Sequence, residues 1–192
     1  PIVPITDLAI KDNNLIVATQ GRSLWMIDDL TVIHQLYGEA SEENRIFKPK
    51  DTYRMDGGYG KGSKTAGTNH PNGVMTYFNL KSYNDTTDEV SLTYFDSKGD
   101  TIKTFSTKNE KKDKLEVKKG MNQFIWDMTY DGAEKLEGMI LWWASLDGPQ
   151  AIPGTYKVHL NVKNGVTSSA VEMPETFNVV ADPRAESTQE DM

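Results

Sequence analysis

The chain has 192 residues, 37 % of them apolar, with 15 glycines, no cysteine and a formal net charge of −7. That length carries one large domain, or one domain with an appendage, and suffices for a core that needs no disulfide or thiolate metal site. Excess acid argues against nucleic acid or an anionic membrane surface as partner, no apolar run reaches the ~20 residues of a membrane helix, and three histidines without metal-ligand spacing predict no metal and no cofactor.

The first segment holds three apolar runs, Leu8-Ala9-Ile10, Leu15-Ile16-Val17-Ala18 and Leu24-Trp25-Met26-Ile27, separated by Lys11-Asp12-Asn13-Asn14 and Thr19-Gln20-Gly21-Arg22-Ser23. Short apolar runs with Asn, Asp and Gly between them read as strands joined by tight turns. Leu30, Ile33, His34 and Leu36 then recur at helical spacing behind Asp28-Asp29, which predicts a short helix capped by that acidic pair and ending near Gly38. A meander of three short strands is marginal alone. Its apolar side chains, Trp25, Ile27, Ile33 and Leu36 among them, therefore need a covering surface.

Arg45 to Pro49 restarts an extended run whose proline suits an edge strand. Residues 56–73 contain six glycines and no apolar period, the longest irregular loop of the chain. Within it, Gly57 and Gly62 have the spacing of a phosphate-binding loop. Ser63-Lys64-Thr65 follows where that motif needs Lys then Ser or Thr, and no strand or helix frames it, so it reads as a glycine loop.

From Val74 onward apolar and polar residues alternate at period two. Val74, Thr76, Phe78 and Leu80 form one face, Val90, Leu92 and Tyr94 another, and Asp96 to Asp100 turns into Thr101 to Phe105. Further strands are predicted at Leu115-Glu116-Val117, at Asn122 to Met128 with Phe124, Trp126 and Met128 inward, and at Met139-Ile140-Leu141-Trp142-Trp143. Tyr156, Val158, Leu160 and Val162 make the clearest strand, followed by a turn at Asn164-Gly165, a strand over Val166 to Val171 and a last one at Thr176 to Val180. Seven or more short strands and no long helix define an all-β chain: an immunoglobulin or fibronectin type III-like β-sandwich preceded by a short β-meander and one short helix. The expected divisions are 1–38 for the meander, 39–181 for the sandwich and 182–192 for a polar tail, where Ser187 and Glu190 have capping-box spacing.

Eight lysines against four acids between Lys98 and Lys119 give a local excess of positive charge, which reads as a solvated face. His34, His70 and His159 are scattered and no nucleophile elbow occurs, so no catalytic residue is predicted and the chain reads as a non-enzyme. Asp28/Asp29 and Asp127/Asp131 are the carboxylate pairs a glycoside hydrolase would need, but each has a simpler structural role. Adjacent Trp142 and Trp143 would point to opposite faces of a strand, so at most one is exposed and packing is the expected role. The alternative is a carbohydrate-binding module whose platform is Trp142, Trp143 and Tyr130.

Ile5-Thr6-Asp7-Leu8, Leu15 to Trp25 and Asp28-Asp29-Leu30 resemble the final blade of the bacterial sortilin-like, BNR-repeat β-propeller proteins, in which a TDL…LxVATxGRxxWxxDDL run recurs. Phe47 to Arg54, Asn72-Gly73-Val74, Gly120 to Met128, Gly148-Pro149, Pro153 to Val158 and Asp182-Pro183-Arg184 are similar to the C-terminal region of the same proteins. One partial blade does not make a propeller, and no aspartate box or arginine triad is present. The capping-box spacing in the tail and the missing initiator Met suggest a piece cut at both ends from a longer protein, and the resemblance implies that this protein is exported: periplasmic, at the cell surface or extracellular. Its partner would be the propeller of the parent chain, with a glycan or a protein as further partner classes. On this reading its role is structural packing or recognition, with part of a glycoside hydrolase as a third alternative.

Overall fold

The computed structural model describes residues 2–37, 43–55, 71–110, 113–134, 136–143, 145–165, 167–186, 188 and 191, the side chains of 167–172 excepted. The glycine loop from Gly57 to Thr65, His70 and the Ser187/Glu190 spacing lie outside the described residues. The chain divides into two compact units, Pro1–Ala40 and Ser41–Met192.

In the first unit, β1 (Ile5–Lys11), β2 (Asn14–Thr19) and β3 (Leu24–Ile27) form an antiparallel sheet in that order, and α1 spans Thr31–Leu36. Asp29 links the turn of the first hairpin to the helix. Its Oδ1 accepts from the Thr31 amide at 3.0 Å and from Asn13 Nδ2 at 3.0 Å, while its own amide donates to Asn14 Oδ1 at 2.9 Å. Asp29 thus holds the first turn from just ahead of the helix through its Oδ1. Register sets Ile10, Leu15 and Ile27 in one row and Leu8, Val17 and Trp25 in the next row of the same face; Ala9, Ile16 and Met26 line the opposite face with Ala18 and Leu24. Both faces are therefore apolar, and Leu8, Ile10, Leu24, Trp25, Met26 and Ile27 are all exposed.

The second unit is a β-sandwich. Its three-stranded sheet has the order β4 (Arg45–Ile46), β6 (Val74–Leu80), β9 (Gly120–Trp126). Its five-stranded sheet has the order β5 (Thr52–Arg54), β11 (Thr167–Ala181), β10 (Gly154–Asn164), β7 (Asp88–Phe95), β8 (Thr101–Ser106). Strands from the two halves of the sequence alternate between sheets, as A, B and E face G, F, C and C′ in immunoglobulin-like sandwiches. Among the strands of the described residues, β5 is the one that pairs in parallel, along Val179 to Ala181 of β11, and an isolated parallel bridge joins Ser106 to Lys114.

Strict alternation drives this arrangement. Val74, Thr76, Phe78 and Leu80 on β6, Val90, Leu92 and Tyr94 on β7, and Tyr156, Val158, Leu160 and Val162 on β10 are all buried, and the residues between them are not. At the centre, Trp126 stacks on Tyr94 at 4.5 Å between ring centroids, with Phe177 and Tyr156 edge-on to the indole at 6.3 and 5.9 Å. Tyr94 Oη and Thr76 Oγ1 form a 2.8 Å hydrogen bond wholly inside this core, joining β7 to β6 across the two sheets. Tyr156 Oη donates to the Ile152 carbonyl four residues upstream at 2.7 Å, the tyrosine corner of immunoglobulin-like domains.

Several elements differ from the sequence expectation. Leu115 is buried but 115–117 is not a strand; the local pairing is an isolated bridge between Ser106 and Lys114. The two strands expected over Val166–Val171 and Thr176–Val180 are one strand, β11, with a register shift opposite Val158 and Leu160 that accommodates Pro174, a residue without an N–H for the ladder. Lys103, expected on a solvated face, is buried: a register shift between Tyr94 and Phe95 sets Ile102 and Lys103 inward in succession. There Lys103 Nζ lies 3.2 Å from Asp113, 3.6 Å from Asp131 and 5.4 Å from the centre of the Phe105 ring.

Candidate functional site

The largest departure concerns Met139 to Trp143, which forms no strand and lies in the connection between β9 and β10. The base of this connection is a pair of antiparallel segments. Ala151 N donates to Met128 O at 2.6 Å, Tyr130 N to Pro149 O at 3.0 Å and Ala133 N to Leu146 O at 2.9 Å. The two backbones approach closely because both carry glycine at the contact. A Cβ at Gly132 would lie 2.0 Å from Leu146 O, and one at Gly148 would lie 2.2 Å from Tyr130 O. Asp131 sits on this base and reaches the buried Lys103 of β8.

Beyond the base the loop turns outward and carries Leu136, Met139, Ile140, Trp142 and Trp143, all exposed. Trp142 is 81 % and Trp143 102 % exposed, so both indoles stand in solvent, and Trp143 adopts φ +59°, a left-handed conformation that a bulky residue rarely takes. The expectation that alternation would bury at least one indole fails because alternation applies only to a strand. Tyr130 is half-buried against the core, with its amide donating to the Pro149 carbonyl. No ring contact among the described residues includes Trp142, Trp143 or Tyr130.

The Asp127/Asp131 pair is engaged, Asp131 by Lys103. Asp127 Oδ1 accepts from the Thr129 amide at 3.1 Å and from its hydroxyl at 2.6 Å, closing the turn after Trp126, whose Nε1 donates to Thr129 O at 3.2 Å. His34 is exposed on α1, and His159 lies on the outward face of β10. No group of three or more potential metal ligands occurs among the described residues. Nor is any helix among them long and apolar enough to cross a membrane.

Desolvation suppresses the ionisation of the two core tyrosines. Tyr94 is held well above the usual phenol range by burial, which outweighs its bond to Thr76, and Tyr156 is pushed up to about 12 by burial and by the neighbouring Tyr130. At the other extreme, Arg184 holds the Asp182 carboxyl down at about 2 through hydrogen bonds at 2.7 and 2.9 Å, in the Asp-Pro-Arg turn that follows β11.

Fold and surface together define an all-β sandwich with an apolar loop presented at one end. The chain matches no known protein-family model and no curated protein.

Proposed function

We propose that the chain is a non-catalytic packing and recognition module of a larger exported propeller protein. The observation that carries this reading is the meander of the first unit, a three-stranded sheet with apolar side chains exposed on both faces. A sheet that is polar on one side needs one covering layer; this one needs two, as a propeller blade does between its neighbours. The likeness of Leu15 to Trp25 to a terminal blade supports the same assignment. The loop carrying Trp142 and Trp143 is the second docking element, since exposed tryptophans on a pinned base supply contact area at small entropic cost.

The test compares the chain with its Trp142→Ala/Trp143→Ala variant against the separately produced propeller portion of the parent protein. Neither indole is buried, so the melting temperature stays within about 2 °C, while association weakens by roughly tenfold or more as for loss of interface tryptophans. Unaltered association contradicts the role of the loop.

A further inference from the structure

Lys103 is a lysine carried into the interior, 4 % exposed, by the register shift that turns it and Ile102 inward in succession. Burying an ammonium is costly, and an apolar side chain of similar length fills the same space without that cost. Its Nζ lies 5.4 Å from the centre of the Phe105 ring. It also meets two carboxylates brought from different connections: Asp113, between β8 and β9, at 3.2 Å, and Asp131, on the base of the β9–β10 loop, at 3.6 Å.

The two carboxylates are not equivalent. Asp113 Oδ1, the oxygen nearest Nζ, is buried and accepts no hydrogen bond, so the nitrogen touches the carboxyl group outside hydrogen-bond geometry. The Asp131 side chain is 70 % exposed, in contact with both Nζ and water. An amine nitrogen, a carboxyl carbon beside it and a second carboxyl able to carry protons are the parts that condensation to an amide needs. Reacting groups held in contact have an effective concentration of roughly 10⁵ M or more, which drives a condensation that free amines and acids in water do not undergo.

We propose that Lys103 and Asp113 join in an intramolecular isopeptide bond, with Asp131 as the proton carrier. Nζ gives one proton through Asp131 to the Asp113 carboxylate and, as the free amine, attacks Cγ with its lone pair. The Cγ–Nζ bond forms, a second proton passes from nitrogen through Asp131 to a carboxyl oxygen, the bond from Cγ to that oxygen breaks, and the oxygen leaves as water. Ammonium and carboxylate thus give an amide and one water, with no oxidant, no cofactor and no change of net charge. The bond ties β8, the edge strand of its sheet, to the segment that follows it. This goes beyond the docking reading and does not depend on it.

The experiment is intact-mass spectrometry of the full chain under denaturing conditions, followed by tryptic mapping. Most molecules are lighter by one water, and the map contains residues 99–108 joined to 113–114 through Lys103 and Asp113, trypsin having cut at the neighbouring lysines. Lys103→Arg and Asp113→Ala both keep the full sequence mass. Asp131→Asn, a change at an exposed side chain, forms the bond at least about tenfold more slowly. Asp131-Gly132 and Asp147-Gly148 also lose water when they close to succinimides, but these reopen on mild alkaline incubation, whereas the isopeptide bond persists. The wild-type mass decides the bond even where a variant fails to fold. Full sequence mass in the wild type, a water loss that alkali reverses, or one that maps away from Lys103 and Asp113 overturns the proposal, and an unchanged rate in Asp131→Asn overturns the role of Asp131.

Discussion

Replacing Tyr94 with phenylalanine removes one oxygen from the interior and leaves the aromatic cluster in place: the stack on Trp126 at 4.5 Å and the edge contacts to Phe105 and Phe177 at 6.0 and 6.4 Å. What is lost is the partner of Thr76 Oγ1, a hydroxyl with no access to water. Orphaning a buried hydroxyl costs roughly 1–3 kcal/mol, and Thr76→Val orphans Tyr94 Oη at about the same cost. The double variant Thr76→Val/Tyr94→Phe replaces both polar groups with apolar ones of similar shape, so its stability returns to within about 1 kcal/mol of the wild type. For a domain of about 150 residues each kcal/mol moves the melting temperature by roughly 2–4 °C, so the single variants melt roughly 2–12 °C lower and the double one does not. Urea unfolding of the four proteins at constant m-value is the assay. Additive losses in the double variant refute the reasoning, because they mean that the two hydroxyls do not depend on each other.

Alkaline titration tests the same core from another direction. Tyr94 and Tyr156 ionise at higher pH in the folded than in the unfolded chain, so their contribution is intact below pH ~10 and is lost as pH rises beyond it, with a slope of at most about 1.4 kcal/mol per unit for each tyrosine. Melting temperatures recorded from pH 8 to about 12 should be flat and then fall; a fall that begins below pH ~9 assigns the transition to other groups. Gly148→Ala forces a methyl to within 2.2 Å of the Tyr130 carbonyl, so the loop base must separate and stability falls by roughly 1–3 kcal/mol, read by urea unfolding. Wild-type stability in that variant means that the two segments are not in close contact in solution.

Much of the sandwich is legible in the alternation of side chains. Thr76 and Tyr94 both fall on inward positions of their strands, yet their pairing depends on how β6 faces β7 across the interior, which no local pattern encodes. The same limit holds on the outward face: Tyr77 is recognisably outward, but its alignment with Gln123 joins residues 46 apart in the sequence. Trp142 and Trp143 read as part of a strand because an uninterrupted apolar run fits a strand and an exposed loop alike. The available signal was Gly132 and Gly148, which flank the run and mark a backbone approach too close for a side chain. Lys103 shows the converse, a lysine in a highly charged stretch that is carried inward by a register shift. In the first unit the reading was closer, since apolar runs on consecutive strands imply both the meander and its two uncovered faces.

Hydrogen exchange on the isolated chain and on the intact parent protein tests the central claim most directly. If the meander and the β9–β10 loop are docking surfaces, amides in 5–27 and 136–143 exchange at least tenfold more slowly in the parent, while those of β7 and β10 change little because the sandwich core is already complete. Identical rates at 5–27 and 136–143 in the two proteins contradict the account.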